Sequence, residues 1–269
     1  MPQHSGTMDQ RDAVIVIDGL KKRFDPGTMV LNGLSLHVSS GSIYGFLGLN
    51  GAGKTITIRV IAGLLRPEEG TVRLFGSPWD GTDRATKARM GFVLDEPFYF
   101  DWLSGHQYLT WSGRMYGIPA AASGERAAEL LAFFDLPADP GRHIRTFSTG
   151  MKKKVSLAAA IIHNPALLIL DEPFEGIDPV AARDIIDALV LMASKGTTVL
   201  ITSHILDTVE RVCSHLGIIH NGRMILECGM DEYNVRAEDL LQHSATGSLR
   251  DLFVRLVGDH RRKPTLSYV

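Results

Sequence analysis

"GLNGAGKT", Gly48–Thr55, decides the fold of this 269-residue chain. It fits G-x-x-x-x-G-K-[ST], follows the short apolar run "SIYGFLG" and precedes "KTITIRVIAGLL". That order predicts a strand, a glycine loop and a helix over Lys54 to Leu65 with a wide apolar side. Gly48, Gly51 and Gly53 let the backbone curl until successive N–H groups face one concavity, a cradle for phosphate. The candidate contacts are Gly48, Leu49, Asn50, Gly51, Ala52, Gly53, Lys54 and Thr55, with Ile56 behind them. Lys54 reaches β and γ oxygens in such a loop, and the Thr55 hydroxyl ligates Mg²⁺. The expected ligand is ATP or GTP with Mg²⁺.

Such a loop needs an acid opposite it, and "ALLILDEP" supplies two. Asp171 ends a strand of fully buried type, where a carboxylate can hold Mg²⁺ through water. Glu172 follows and points a second carboxylate toward the γ-phosphate, able to polarise an attacking water. The bland alternative for Glu172 is a cap on the turn before Pro173.

Working outward, "AVIVIDGLKKRF" and "VLNGLSLHVSSG" read as strands of an antiparallel sheet, and "GTVRLFG" and "MGFVLDE" as further strands. Helical material fills Pro97 to Thr146. In the second half, Asp178 caps a helix with Pro179 at its first position and a stop at Gly196. Its apolar face is Ile185, Ile186, Leu189, Val190 and Met192. "TTVLITS" is another buried strand, "LGIIHNGRMIL" a hairpin turning at Asn221-Gly222, and "SLRDLFVRLVG" a short C-terminal helix. Strand–helix alternation around a glycine loop predicts an α/β fold with a mostly parallel sheet. The expected boundaries are a disordered leader over 1–11, one domain over 12–259 with a helical insert at about 97–158, and a flexible tail over 260–269.

Composition agrees: 45% hydrophobic, 22% charged, with a formal net charge of −2. No basic field points to nucleic acid. Cys213 and Cys228 make no disulfide framework, and a reducing compartment is the default. The longest apolar run, "VSLAAAII", is far shorter than the ~20 residues of a membrane span, so membrane work is expected to go through a partner.

One stretch remains unexplained by a single nucleotide site. "RTFSTGMKKKVSLAAAII", Arg145–Ile162, opens on the small-residue turn Ser148-Thr149-Gly150, a second anion-holding helix start about a hundred residues from the first. Its lysines, Lys152, Lys153 and Lys154, read as a solvated helix face. With this stretch included, the chain resembles the ATP-binding-cassette (ABC) ATPases over nearly its whole length. "GLNGAGKT" is similar to their Walker A loop, "LLILDEP" to Walker B, "FSTGMKKKV" to the signature turn and "EGIDP" to the D-loop. "ITSHIL" is similar to the switch-histidine segment, giving His204 as sensor of the γ-phosphate, and Phe24 sits where the family places an adenine-stacking aromatic.

The resemblance implies the finer architecture, a phosphate-loop NTPase core with an N-terminal antiparallel β subdomain and an inserted helical subdomain. It implies ATP hydrolysis, with Lys54, Glu172 and His204 as the catalytic set and Thr55 and Asp171 on Mg²⁺. It also implies a second cassette, identical or not, packed head to tail. Ser148, Gly150 and Asp178 would then complete an ATP site held by the other copy. A partial positive charge at that helix start favours the ATP-bound dimer. The implied partner is a separate integral-membrane permease, which places the chain in the cytoplasm on the inner face of the membrane. No nucleic acid is implied. The rival reading is a soluble ABC ATPase acting on ribosomes or DNA, or a weakly hydrolysing regulator.

Three positions depart from the family pattern. Asp95, followed by Glu96 and Pro97, stands where Gln is usual, a position that touches Mg²⁺ or its water and contacts the membrane partner. Ile56 stands where a hydroxyl residue usually reaches the α-phosphate, a loss of about 0.5–1.5 kcal/mol of affinity. Thr149 replaces a Gly in the signature. The acidic Asp95 and the S-x-G-M-K signature resemble cassettes of ABC-2-type exporters. A metal site at Cys213, His215 and His220 is set aside, because Ile205, Val209, Val212, Cys213 and Leu216 share one helical face and make Cys213 core. Trp102 and Trp111 read as packing residues.

Overall fold

The computed structural model describes residues 12–24, 27–95, 99–233 and 249–258. The expected leader and tail, and Glu96 and Pro97, lie outside the described residues. β1 (Ala13–Arg23) and β2 (Met29–Ser39) pair antiparallel, and with β4 (Glu69–Leu74) and β5 (Ser77–Pro78) form a four-stranded sheet in the order β2-β1-β4-β5. The second sheet contains β3 (Ile43–Leu47), β6 (Met90–Val93), β7 (Leu167–Asp171), β8 (Thr198–Ser203), β9 (His215–His220) and β10 (Arg223–Gly229). Its order is β10-β9-β3-β8-β7-β6, parallel except where β10 turns back on β9 through Asn221-Gly222.

The apolar runs that read as buried strands are apolar on both faces because both faces are covered. In β7, Leu168 and Leu170 join one core, while Leu167 and Ile169 join the other. β8 divides the same way, Val199 and Ile201 against Leu200. The first core lies under helices α3 (Gly105–Met115), α4 (Ala120–Phe133), α5 (Thr149–Ile161) and α6 (Pro179–Ser194). The second lies between the two sheets, with α1 (Lys54–Ile61). α2 (Arg84–Ala88), α7 (Leu206–Val212) and α8 (Leu249–Gly258) are further helices.

Several local expectations are corrected. α1 ends at Ile61, short of Leu65, because Gly63 turns left-handed at φ 71 and the N–H groups of Leu64 and Leu65 both fold back onto the Arg59 carbonyl. Val190 lies off the buried stripe of α6 at 49% exposure. α7 stops at Val212, so Leu216 reaches the core from β9 and not from a shared helical face; Cys213 is nonetheless buried, and burial pushes its thiol up to about 12. Trp102 and Trp111 are exposed, their rings gathered around Phe100 at centroid distances of 5.3 and 4.7 Å. The lysine run is not a solvated face. The Lys154 ammonium is buried on Asp184 and the Phe134 carbonyl (2.5 and 2.9 Å), and Lys153 is half-buried.

His163, just past α5, ties the helical layer to the sheet. Its ring stacks on Tyr116 with centroids 3.5 Å apart, and Nε2 donates to the Met90 carbonyl at 3.1 Å. Nδ1 is buried without a partner, so a proton there has nowhere to bond. Burial is the main cause that lowers this histidine from 6.5 to about 4, with Arg126 adding to it against the Met90 hydrogen bond. A group depressed on folding contributes stability that is full above its unfolded value and is lost as the pH falls through the folded one. The urea midpoint should therefore decline between about pH 6.5 and about pH 4. His163→Phe should flatten that decline, and an unchanged slope would show that His163 does not set it.

Candidate nucleotide site

Strand register brings three loops together. Phe46 and Asp171 both lie level with Thr202, so the chain segments after β3, β7 and β8 emerge side by side at the carboxyl ends of parallel strands, where open α/β sheets bind ligands. The loop after β3 enters α1 through Gly53, which takes φ 115 as N-cap and supplies no side-chain cap. The first N–H groups of α1 are thus left to an outside acceptor. A side chain at Gly53 would be strained at that φ and would place Cβ 2.8 Å from Leu31 Cδ2.

A cleft of about 380 Å³ opens over this loop. It brings together Leu49, Asn50, Gly51, Gly53, Lys54, Thr55, Ile56, Asp95, Glu172 and His204 from the sequence-predicted set. Gly48 contributes its carbonyl, which accepts from Lys54 Nζ at 2.8 Å, and Ala52 is buried in the second core. Lys54 is only 6% exposed, and its ammonium also lies 3.4 Å from Glu172 Oε1. A buried cation flanked by unpaired amide donors is a site for a polyanion.

Glu172 is the strained residue of the cleft, a non-glycine at φ 47, which costs of order 1–3 kcal/mol and persists only where the surroundings over-determine it. Its Oε2 accepts from His204 twice, from Nδ1 at 2.9 Å and from the backbone N–H at 3.2 Å. The carboxylate is therefore committed to Lys54 and His204 and not to the turn before Pro173; that turn uses the Glu172 carbonyl, which accepts from the Glu175 N–H at 3.3 Å. Behind Glu172, Asp171 is 2% exposed, and its Oδ1 accepts from the Thr202 hydroxyl at 2.5 Å.

Of the residues expected to hold a metal, Thr55 and Asp95 line the cleft and Asp171 is buried behind Glu172; all three offer hard oxygens, which suit Mg²⁺. Among the described residues no group of three or more His, Cys, Asp and Glu side chains could hold an ion by itself.

The remaining predicted residues lie off this cleft. Phe24 is 39% exposed at the end of β1, with the Lys22 ammonium 5.7 Å from its ring centroid. Ser148 caps α5, its hydroxyl accepting from the Met151 N–H at 3.2 Å. Gly150 is buried where α5 meets the start of α6, and a Cβ there would lie 3.0 Å from Ala181 Cβ and 3.4 Å from Asp178 Oδ2. Asp178 caps α6, and the Ala181 N–H bond, with that of Val180, holds its carboxyl below the usual range. The Ser148–Gly150 turn and the Asp178 helix start thus pack against one another, and neither lines the cleft.

Sequence reasoning missed Val30 and Glu175, which line the cleft, and Thr202 and Lys153, which hold Glu172 from behind. Thr202 carried a signal: a hydroxyl in an apolar strand, two residues before His204, where register sets it beside Asp171. Lys153 carried none, because its reach depends on how α5 docks.

The family model described as ABC transporter matches residues 31–175. The chain is 34% identical over 224 residues to the bacitracin transport ATP-binding protein BcrA of Enterococcus faecalis, covering 83% of this chain and 71% of that one. It is 38% identical over 218 residues to the daunorubicin/doxorubicin resistance ATP-binding protein DrrA of Streptomyces peucetius, covering 81% and 66%. Among solved structures it is similar to an ATP-binding subunit of an ABC transporter, with a TM-score of 0.80 at 29% identity over 90% of this chain and 99% of that one. With the phosphate loop, Glu172 and His204 in one cleft, Asp171 buried next to them, and these relatives over most of its length, the chain belongs to the ABC transporter family of ATP-binding proteins.

Proposed function

We propose that this chain is the ATP-binding and ATP-hydrolysing subunit of an ABC exporter, with residues 12–259 as one cassette. The observation that carries it is the Lys54–Glu172–His204 cluster: a buried cation for phosphate beside a carboxylate already oriented by histidine. Lys54 and the loop amides bind the triphosphate, and Thr55 and Asp171 hold Mg²⁺. When bound, the metal neutralises charge on the β- and γ-phosphates. Glu172 orients and polarises water, and His204 holds Glu172 in place and senses the γ-phosphate. Phe24 stacks on adenine. Ser148, Gly150 and Asp178 close the site of a second cassette.

The partner is an integral-membrane permease, and this subunit works on the cytoplasmic face of the membrane. Among the described residues no helix is long and apolar enough to cross a membrane. A docking face is supported by two adjoining apolar hollows of about 410 and 510 Å³ that share Phe92, Leu94, Met115 and Tyr116. Export is the direction supported by relatives named for antibiotic transport and resistance.

The test is hydrolysis of ATP by the purified chain, abolished by EDTA and restored by Mg²⁺; no Mg²⁺-dependent phosphate release would overturn the reading. Asp95 gives a finer prediction, since it lines the cleft where the family has Gln. Asp95→Asn should shift the Mg²⁺ concentration for half-maximal hydrolysis, and Asp95→Gln should keep or raise activity. Identical Mg²⁺ titrations for all three proteins would place Asp95 outside the metal's surroundings.

A further inference from the structure

Glu172 holds its left-handed backbone between two side chains to which the sequence reading gave no part in the cleft, Thr202 and Lys153. Its N–H donates to the Thr202 hydroxyl at 3.0 Å, from β8 inside the sheet. Its carbonyl accepts from Lys153 Nζ at 2.8 Å, from the second turn of α5. The two anchors differ in kind. Thr202 is fully buried, between strands paired on both sides, and cannot shift without the sheet. Lys153 rides on a helix that begins at the signature turn, capped by Ser148. Its ammonium is half-buried, and burial lowers its pKa against the opposing fields of Asp95, Glu175 and Glu172.

The carbonyl is carried on the Glu172 Cα, and with the N–H before it fixed on Thr202 a pull on the carbonyl turns the N–Cα bond, the φ rotation that also swings Cβ and the side chain. Whatever moves Lys153 therefore re-aims the carboxylate that His204 and Lys54 share.

We propose that Lys153 is a positioning residue for Glu172, and that it makes the aim of this carboxylate depend on where the signature helix α5 sits. Each chain would then sense at its signature turn that the partner's nucleotide is engaged, and would set its own hydrolytic acid accordingly. The inference rests on the ATPase reading above for its purpose and on the Lys153–Glu172 bond for its geometry.

The experiment compares Lys153→Met, which keeps length and removes the ammonium, with Lys153→Arg, which keeps a donor. In the full chain, Lys153→Met should lower kcat roughly tenfold, the scale of one lost hydrogen bond from a charged group, with KM within about twofold. Lys153→Arg should return kcat to within about threefold of the parent. Hydrogen exchange at residues 172–175 should quicken by about tenfold in Lys153→Met and stay near the parent rate in Lys153→Arg, with melting temperatures used to confirm that both variants are folded. Parent-like kcat and exchange in Lys153→Met would overturn the proposal, as would equal losses in both variants or a loss confined to KM. Should the parent protein not hydrolyse ATP, the ATPase reading fails alone, since exchange at 172–175 still decides whether Lys153 holds Glu172.

Discussion

In Glu172→Gln, ATP should still bind while its hydrolysis falls by about a hundredfold or more, the scale on which a general base acts. The substitution is close to isosteric, and its amide oxygen can still accept from His204 Nδ1, so the cleft keeps its shape. What is lost is the basicity that polarises water. Binding should not suffer, because the Lys54 ammonium no longer faces a carboxylate 3.4 Å away and is freer to turn toward phosphate. Fluorescent-nucleotide titration should give an equal or tighter Kd, and single-turnover phosphate release should be nearly flat. Turnover within a few-fold of the parent would remove Glu172 from the chemistry and favour a purely orienting role.

Lys54→Ala should be the most damaging single change for binding. The side chain is 6% exposed and already desolvated, so its ammonium meets phosphate with little further cost. A charge-assisted hydrogen bond of this kind contributes about 1.5–3 kcal/mol, which is one to two orders of magnitude in Kd. Hydrolysis should be undetectable. The same change leaves Glu172 Oε1 without its cation, so the variant's melting temperature should be recorded with its affinity. An unchanged Kd would mean that the loop amides alone hold the ligand.

The readable parts of this molecule were those set by short spacing. The phosphate loop, the buried strand ending in Asp171 and the Asp178-Pro179 helix start are each written within a few residues, and the structure contains each of them. The unreadable parts depend on packing at long range. Lys152, Lys153 and Lys154 look alike on a helix, yet α6 supplies Asp184 to one of them and β7 brings the Glu172 carbonyl to another. The helical stripe drawn through Cys213 to Leu216 failed because the chain leaves α7 at Val212 and enters β9 at His215, a break that apolar spacing alone does not mark. Thr202 was passed over because a threonine in a strand is ordinary; only the register against Asp171 gives its hydroxyl a task. Gly150 was chosen for a partner's phosphate, and the structure adds a reason within the chain: the start of α6 leaves no comfortable room for a side chain.

The central proposal, that ATP is enclosed between the phosphate loop of one cassette and the signature turn of another, is tested most directly by mixing two defective proteins. Lys54→Ala empties the loop, and Ser148→Arg fills the signature turn with bulk, at a cost to α5 of about 1 kcal/mol for the lost cap. Each homodimer carries a fault in both of its sites. In a mixed dimer one site takes both faults, and the other pairs an intact Lys54 loop with an intact Ser148 turn. An affinity-tag pull-down establishes that mixed dimers form, and if the chain pairs only with a different cassette, the two substitutions are divided between the partners. Occlusion of ATP should then return on mixing, in proportion to the mixed fraction, although neither protein alone shows it. Mixed dimers that occlude no more ATP than either homodimer would contradict the shared site.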